Sequence, residues 1–226
     1  MAGEAADPFR ELVAVMDRLR SPGGCPWDAA QTHASLLPYL LEESHELAEA
    51  VDAGDRAGMR EELGDVLLQV VFHARLAQED PDDPFDVDDV ARELVAKLVR
   101  RHPHVFAGLD TPAERLHVQW DAIKKAEMGR DSALDGIPGS LPALARAQKI
   151  VARAQRAGLD VRSAAASSRA SGAGGSGAAT GSDAASLGER LLALALEAHD
   201  AGLDAEGELR RATGALERTL REREQD

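Results

Sequence analysis

The chain has 226 residues, of which 44% are hydrophobic but only 3% aromatic, and it carries a formal net charge of −14 and one cysteine. That charge excludes a general nucleic-acid binder, which needs a basic footprint, and a lone cysteine excludes an internal disulfide and suits a reducing compartment. No apolar run of about 18 residues and no secretory leader is present, so a soluble cytoplasmic protein without membrane contact is expected, with a core of Leu, Val and Ala of the kind that packed helices bury.

In chain order, residues 1–7 are small and acidic and are expected to fray. Residues 9–19 predict an amphipathic helix, because Phe9, Leu12, Val13, Met16 and Leu19 recur at helical spacing. The run Ser21-Pro22-Gly23-Gly24-Cys25-Pro26 predicts a loop. Trp27 stands at the head of the next helix, where it can stack a nucleobase or plug the end of a bundle; Asp28 is expected as a helix cap. A second helix is predicted over 36–53, with Pro38 in its first turn. Leu36, Leu40, Glu43, Leu47 and Ala50 follow the 4-3-4-3 spacing of a core seam, so Glu43 interrupts an apolar line. Glu42, His45 and Glu49 run along a polar line and read as surface.

After a turn at 52–58, a third helix is predicted over 59–77, with Glu62, Asp65, Gln69, Phe72 and Leu76 on one face. Glu43 and Glu46 make one pair of carboxylates three residues apart, and Glu62 and Asp65 make another; residues at this spacing share a helix face. Two such helices packed together turn four carboxylates into one space, where they repel unless a cation sits among them. Oxygen ligands suit a hard ion, and Mg²⁺ is the usual one where phosphates complete the shell. The plain alternative is a solvated acidic face, common in a chain that is 29% charged. Between Val66 and Ala74 the third helix is apolar on nearly every side. A helix of this kind is buried all round, which predicts a second subunit over one face.

A turn at 81–85 leads into a fourth helix over 86–102. Its Lys97 and Arg101 lie four apart on one face and could clamp phosphate or pair with Glu93. His102 and His104 flank Pro103 at the helix end and suit capping better than metal ligation. A fifth helix is predicted over 112–128. It places Trp120 and Lys124 four apart, either as a ring and a charge for a nucleotide or as a core Trp with a snorkelling Lys. A sixth is predicted over 140–157, capped by Ser140 and stopped by Gly158. Residues 163–182 are almost entirely Ser, Ala and Gly and read as a flexible linker. Beyond it, Leu187-Gly188-Glu189-Arg190-Leu191-Leu192 echoes Leu63-Gly64-Asp65-Val66-Leu67-Leu68, with Ser186 where the first copy has Glu62 and Ala215 where it has Lys97. Two helices in a degenerate repeat are expected there. The predicted organisation is a domain over 1–161, a linker over 162–182 and the half-repeat over 183–226.

The two acidic pairs do not stand alone. Cys25-Pro26-Trp27-Asp28 with Gln31-Thr32, Arg100-Arg101-His102-Pro103-His104-Val105-Phe106, Trp120-Asp121-Ala122-Ile123-Lys124 and Ser132-Ala133-Leu134-Asp135-Gly136-Ile137-Pro138 accompany them, followed by Leu141-Pro142-Ala143-Leu144. In this order the motifs resemble the MazG-type nucleoside triphosphate pyrophosphohydrolases, over roughly residues 8–161. The resemblance implies an all-α, four-helix-bundle-like fold completed by dimerisation or a dimer-based oligomer. It implies Mg²⁺, or Mn²⁺ in its place, on Glu43, Glu46, Glu62 and Asp65, with nucleotide contacts from Lys97, Arg101, Trp120 and Lys124. It further implies hydrolysis between the α and β phosphates and a housecleaning role toward noncanonical or oxidised nucleotides; whether Glu46 serves as ligand or as base stays open. Two rivals remain at this point. One is a di-iron bundle using Glu42-x-x-His45, Glu114-x-x-His117 and Glu62; the other is a helical interaction module with a solvated acidic face.

Overall fold

The computed structural model describes residues 7–108, 112, 123, 132–172 and 186–225. Among the described residues every regular element is a helix. The chain divides into two compact units, Met1–Trp120 and Asp121–Asp226.

In the first unit, α1 (Pro8–Arg20) begins where Asp7 accepts a hydrogen bond from the Phe9 amide at 3.0 Å, with proline at its first position. The loop after it turns on Gly24, where a Cβ would come within 2.2 Å of the Leu19 carbonyl oxygen, so no larger residue fits without movement. A short helix, α2 (Pro26–Ala30), then forms between the expected loop and the helix predicted from residue 36. Asp28 lies within α2 rather than capping it; Cys25 holds the cap position and makes no side-chain bond there.

α3 (His33–Ala53) starts earlier than its apolar periodicity suggested. Thr32 and Ser35 form a reciprocal capping box, at 3.1 and 2.9 Å. Pro38 therefore sits in the second turn of α3, not the first. α3 ends on Gly54 in the left-handed conformation (φ 68°), which glycine enters at little cost. Asp55 caps the following helix through the Ala57 amide at 3.0 Å, so α4 (Arg56–Ala77) folds back beside α3 as a hairpin. α5 (Val87–Arg101) opens on a second capping box, between Asp86 and Asp89, and the four-residue α6 (Pro103–Phe106) follows His102.

The core of this unit is Met16, Leu36, Val71, Phe72, Ala74, Leu76 and Val87, flanked by Phe9, Leu12, Val13 and Leu68. An ionic clamp secures α1 and α2 to the end of α4. Arg20, nearly buried, pairs with Glu79 at 2.9 Å and donates to the Asp28 carbonyl at 2.5 Å, while Arg75 bridges Asp17 and Glu79 at 2.7 and 2.8 Å. The hydrogen bond from Arg20 is the largest influence holding the Glu79 carboxyl below its ordinary range. α4 is not covered all round: Leu63, Leu67 and Val70 remain 52%, 37% and 42% exposed.

The second unit contains α7 (Ala143–Arg156), α8 (Val161–Gly172), α9 (Leu187–Asp200) and α10 (Ala205–Glu224). α7 starts after Pro142, so Ser140 does not cap it; Gly158, at φ 75°, follows its end. α8 occupies residues that composition assigned to linker, with Asp160 accepting from the Ser163 amide at 3.0 Å. Alanine, the strongest helix former, supplies much of its sequence. The two helices expected near the end are present, and both pack against α7. Gln148 of α7 fastens the α9–α10 turn, donating to the Leu203 carbonyl at 2.8 Å and accepting from the Ala205 amide at 2.9 Å. The predicted helix at 112–128 falls almost wholly outside the described residues, and Trp120 and Lys124 lie there with it.

Candidate metal centre

The hairpin of α3 and α4 decides where the acidic residues meet. Glu43 on α3 and Glu62 and Asp65 on α4 each offer a carboxylate oxygen, and these atoms all lie within 4.8 Å of one another. All three residues are half-buried, and Glu62 Oε2 is closed to solvent with no hydrogen-bond partner. Burial is the leading influence pushing the Glu43 carboxyl up, followed by the charges of Asp65, Glu46 and Glu62. Burial also leads in raising Glu62, followed by Glu46, Asp65 and Glu61. No cation is among the leading influences on either group.

Glu46 is exposed and stands outside the close trio, although after burial its charge is the largest influence raising Glu62. Three of the four predicted ligands therefore converge, and the fourth sits at the rim. The donor set is all oxygen, anionic, crowded and incompletely hydrogen-bonded. Such a set fits a hard divalent ion, because an added positive charge removes the mutual repulsion and supplies the missing partner of Glu62.

The other predicted site residues are placed less closely. Lys97 is exposed on α5, and Arg101 is half-buried at the last position of that helix. Trp27 on α2 is 51% exposed and meets Tyr39 edge-on with ring centroids 5.9 Å apart. Tyr39 precedes Glu43 by four residues on α3, so the aromatic pair stands one turn from the carboxylates. The Glu42 and His45 of the di-iron alternative are both exposed and neither belongs to the converging group. Three features escaped sequence reasoning as site elements: the Tyr39 ring beside Trp27, buried Gln69, and a contact between His33 and His73 at 2.8 Å. Only Gln69 had left a signal, a polar residue on the line that runs from Asp65 to Phe72.

A helical hairpin that turns carboxylates from both arms inward defines an all-α protein built around a cation-seeking acidic centre. The family model for the MazG nucleotide pyrophosphohydrolase domain matches residues 31–106, a span that contains both arms, and over it the chain carries a MazG domain. The chain is 51% identical over 149 residues to the nucleoside triphosphate pyrophosphohydrolase/pyrophosphatase MazG of Thermotoga maritima, covering 65% of this chain and 56% of that protein. It is 49% identical over 146 residues to the nucleoside triphosphate pyrophosphohydrolase of Escherichia coli K12, covering 62% and 54%. An uncharacterized 26.1 kDa protein of Streptomyces cacaoi is 52% identical over 143 residues, covering 62% and 58%. The chain thus spans a little over half the length of these relatives.

Proposed function

We propose that this protein hydrolyses nucleoside triphosphates to nucleoside monophosphate and pyrophosphate, using a divalent cation held by Glu43, Glu62 and Asp65. The observation that carries the reading is the convergence of those three carboxylates, from two helices, within 4.8 Å. The naming of relatives at about half identity as nucleoside triphosphate pyrophosphohydrolases supports the reaction class. The cation, Mg²⁺ with Mn²⁺ as a substitute, would supply charge for the phosphate oxygens and a water of lowered pKa.

The remaining work falls to the chain's own residues. Glu46, exposed at the rim of the carboxylate trio, would accept a proton from an attacking water. Lys97 and Arg101, on the helix that packs against α4, neutralise outer phosphate oxygens; the family resemblance assigns further nucleotide contacts to Trp120 and Lys124, which lie outside the described residues. Trp27, with Tyr39 at its edge, offers a π-face to the base. Stacking of this kind tolerates every base, which agrees with a housecleaning role toward noncanonical or oxidised nucleotides. Chemistry resides within residues 1–161, and residues 183–226 contribute no ligand. The exposed line Leu63, Leu67 and Val70 is covered by a second copy in a homodimer.

The test is to incubate the protein with each deoxynucleoside triphosphate and Mg²⁺. Monophosphate and pyrophosphate in equal amounts are expected; orthophosphate alone, or no product, rejects the reading.

A further inference from the structure

Four buried side-chain atoms among the described residues have no hydrogen-bond partner: Glu62 Oε2, Gln69 Oε1, His73 Nε2 and His104 Nδ1. Three of the four belong to α4, and with Asp65 they follow a 3-4-4 spacing along one helix face. One orphaned atom is a packing compromise. Three in register with the carboxylates on one helix face call for a common explanation. Gln69 is the informative member. It is 5% exposed and is the one buried polar residue among the described residues. A leucine at that position would continue the apolar line to Phe72 and Leu76 with no unsatisfied oxygen, so the amide carries a cost that packing does not require.

We propose that Gln69 is the sugar-reading residue of the site, its Oε1 accepting a hydrogen bond from the 3′-hydroxyl of the nucleotide. The inference rests on the pyrophosphohydrolase reading and deepens it. Gln69 stands four residues beyond Asp65, about 6 Å along the helix at 1.5 Å per residue. With the reacting phosphate at the carboxylates, the sugar is the next group outward, and its hydroxyl is the donor that an orphaned carbonyl oxygen lacks. In the antiparallel hairpin Tyr39 and Gln69 both lie between the carboxylates and the His33–His73 contact, so the base is taken by the aromatic pair on α3 and the sugar is left for α4. A neutral amide also suits this place, because another carboxylate would add repulsion against the triphosphate. The three rotatable bonds of the side chain let Oε1, closed to solvent in the free chain, turn toward the hydroxyl.

The test compares kcat/KM for a 2′-deoxynucleoside triphosphate and its 2′,3′-dideoxy counterpart, in the full-length wild type and in Gln69→Leu and Gln69→Met. The wild type is expected to favour the 3′-hydroxyl substrate by about tenfold, the usual effect of one hydrogen bond to a buried partner, and both variants are expected to bring that ratio close to one. A wild-type ratio of one overturns the proposal, as does a tenfold ratio that survives in a folded variant. Should both variants lose their helical signal, the side-chain amide resonances of Gln69 in the wild type decide. They must shift on adding a non-hydrolysable deoxynucleotide analogue more than on adding its dideoxy form, and equal shifts overturn the assignment. A wild type that cleaves no nucleotide rejects the reaction class itself, a different outcome from an active enzyme indifferent to the 3′-hydroxyl.

Discussion

Glu62 concentrates the physics of the centre in one side chain. Its carboxyl is raised by burial and by Glu46, Asp65 and Glu61, so the charged form is the strained one. A carboxyl whose folded pKa lies above the ordinary 4.5 favours folding in its protonated form, and that contribution is lost as the pH rises through the folded value. At neutral pH the cation-free protein therefore bears an electrostatic cost that a bound divalent ion relieves. Adding Mg²⁺ at about 100 times its Kd is expected to stabilise the protein by about 2.7 kcal/mol, read as a rise in Tm that EDTA reverses. Glu62→Gln keeps the shape and removes the charge. It is expected to raise the Tm in EDTA and to reduce kcat/KM by more than about 100-fold, since even residues behind a ligand cost about 10–100-fold. An active Glu62→Gln enzyme would remove this residue from the centre. Neither the pKa direction nor the orphaned oxygen could be read from the sequence, which gave only the spacing that makes them possible.

At the scale of elements, the α3–α4 hairpin is fixed at both ends. One end is the turn at Gly54 and Asp55. The other is the contact between His33 Nδ1 and His73 Nδ1, with rings stacked at 5.1 Å. A hydrogen bond between two ring nitrogens needs one donor and one acceptor, so it fails when both rings are protonated. Burial, then the nearness of His33, lowers the His73 pKa below the ordinary 6.5. A histidine lowered on folding contributes stability above the unfolded value, and this is lost as the pH falls below 6.5 and through the folded value. His73→Phe is expected to flatten the fall in Tm between pH 7.5 and 5.5. A slope equal to the wild type's would show that the pair does not report on pH. The histidine pair illustrates why elements were more legible than contacts. Each helix announced itself by apolar period and capping residues, whereas the pairing of residues 33 and 73 depends on the register between two helices.

At the scale of the whole molecule, composition and charge already pointed to a Leu-, Val- and Ala-rich helical protein, and the two units described here are all-helical among the described residues. The first unit leaves Leu63, Leu67 and Val70 open on the helix that also bears the acidic centre. A second copy would remove this line from water, at roughly 25 cal/mol per Å² of apolar area. Leu67→Glu is expected to shift the protein from dimer to monomer in sedimentation velocity, with its helical signal retained. A wild type that sediments as a monomer at micromolar concentration would instead leave the line as ordinary exposed surface.

The sequence by itself determined that the chain is helical, that carboxylates occur in pairs three residues apart, and that Glu43 interrupts an apolar line. Those are periodic properties, set within one helix by 3.6 residues per turn. It also pointed to the two closing helices, through their apolar period. It did not determine the short α2, formed on five residues with no periodicity to betray it, nor α8, whose alanines fold where a linker was expected. Only the tertiary structure decided that Glu43, Glu62 and Asp65 converge while Glu46 stays at the rim, and that Gln69 is buried without a partner. The reason is geometric: spacing along a helix fixes which residues share a face, but the rotation and register of two packed helices fix which faces meet.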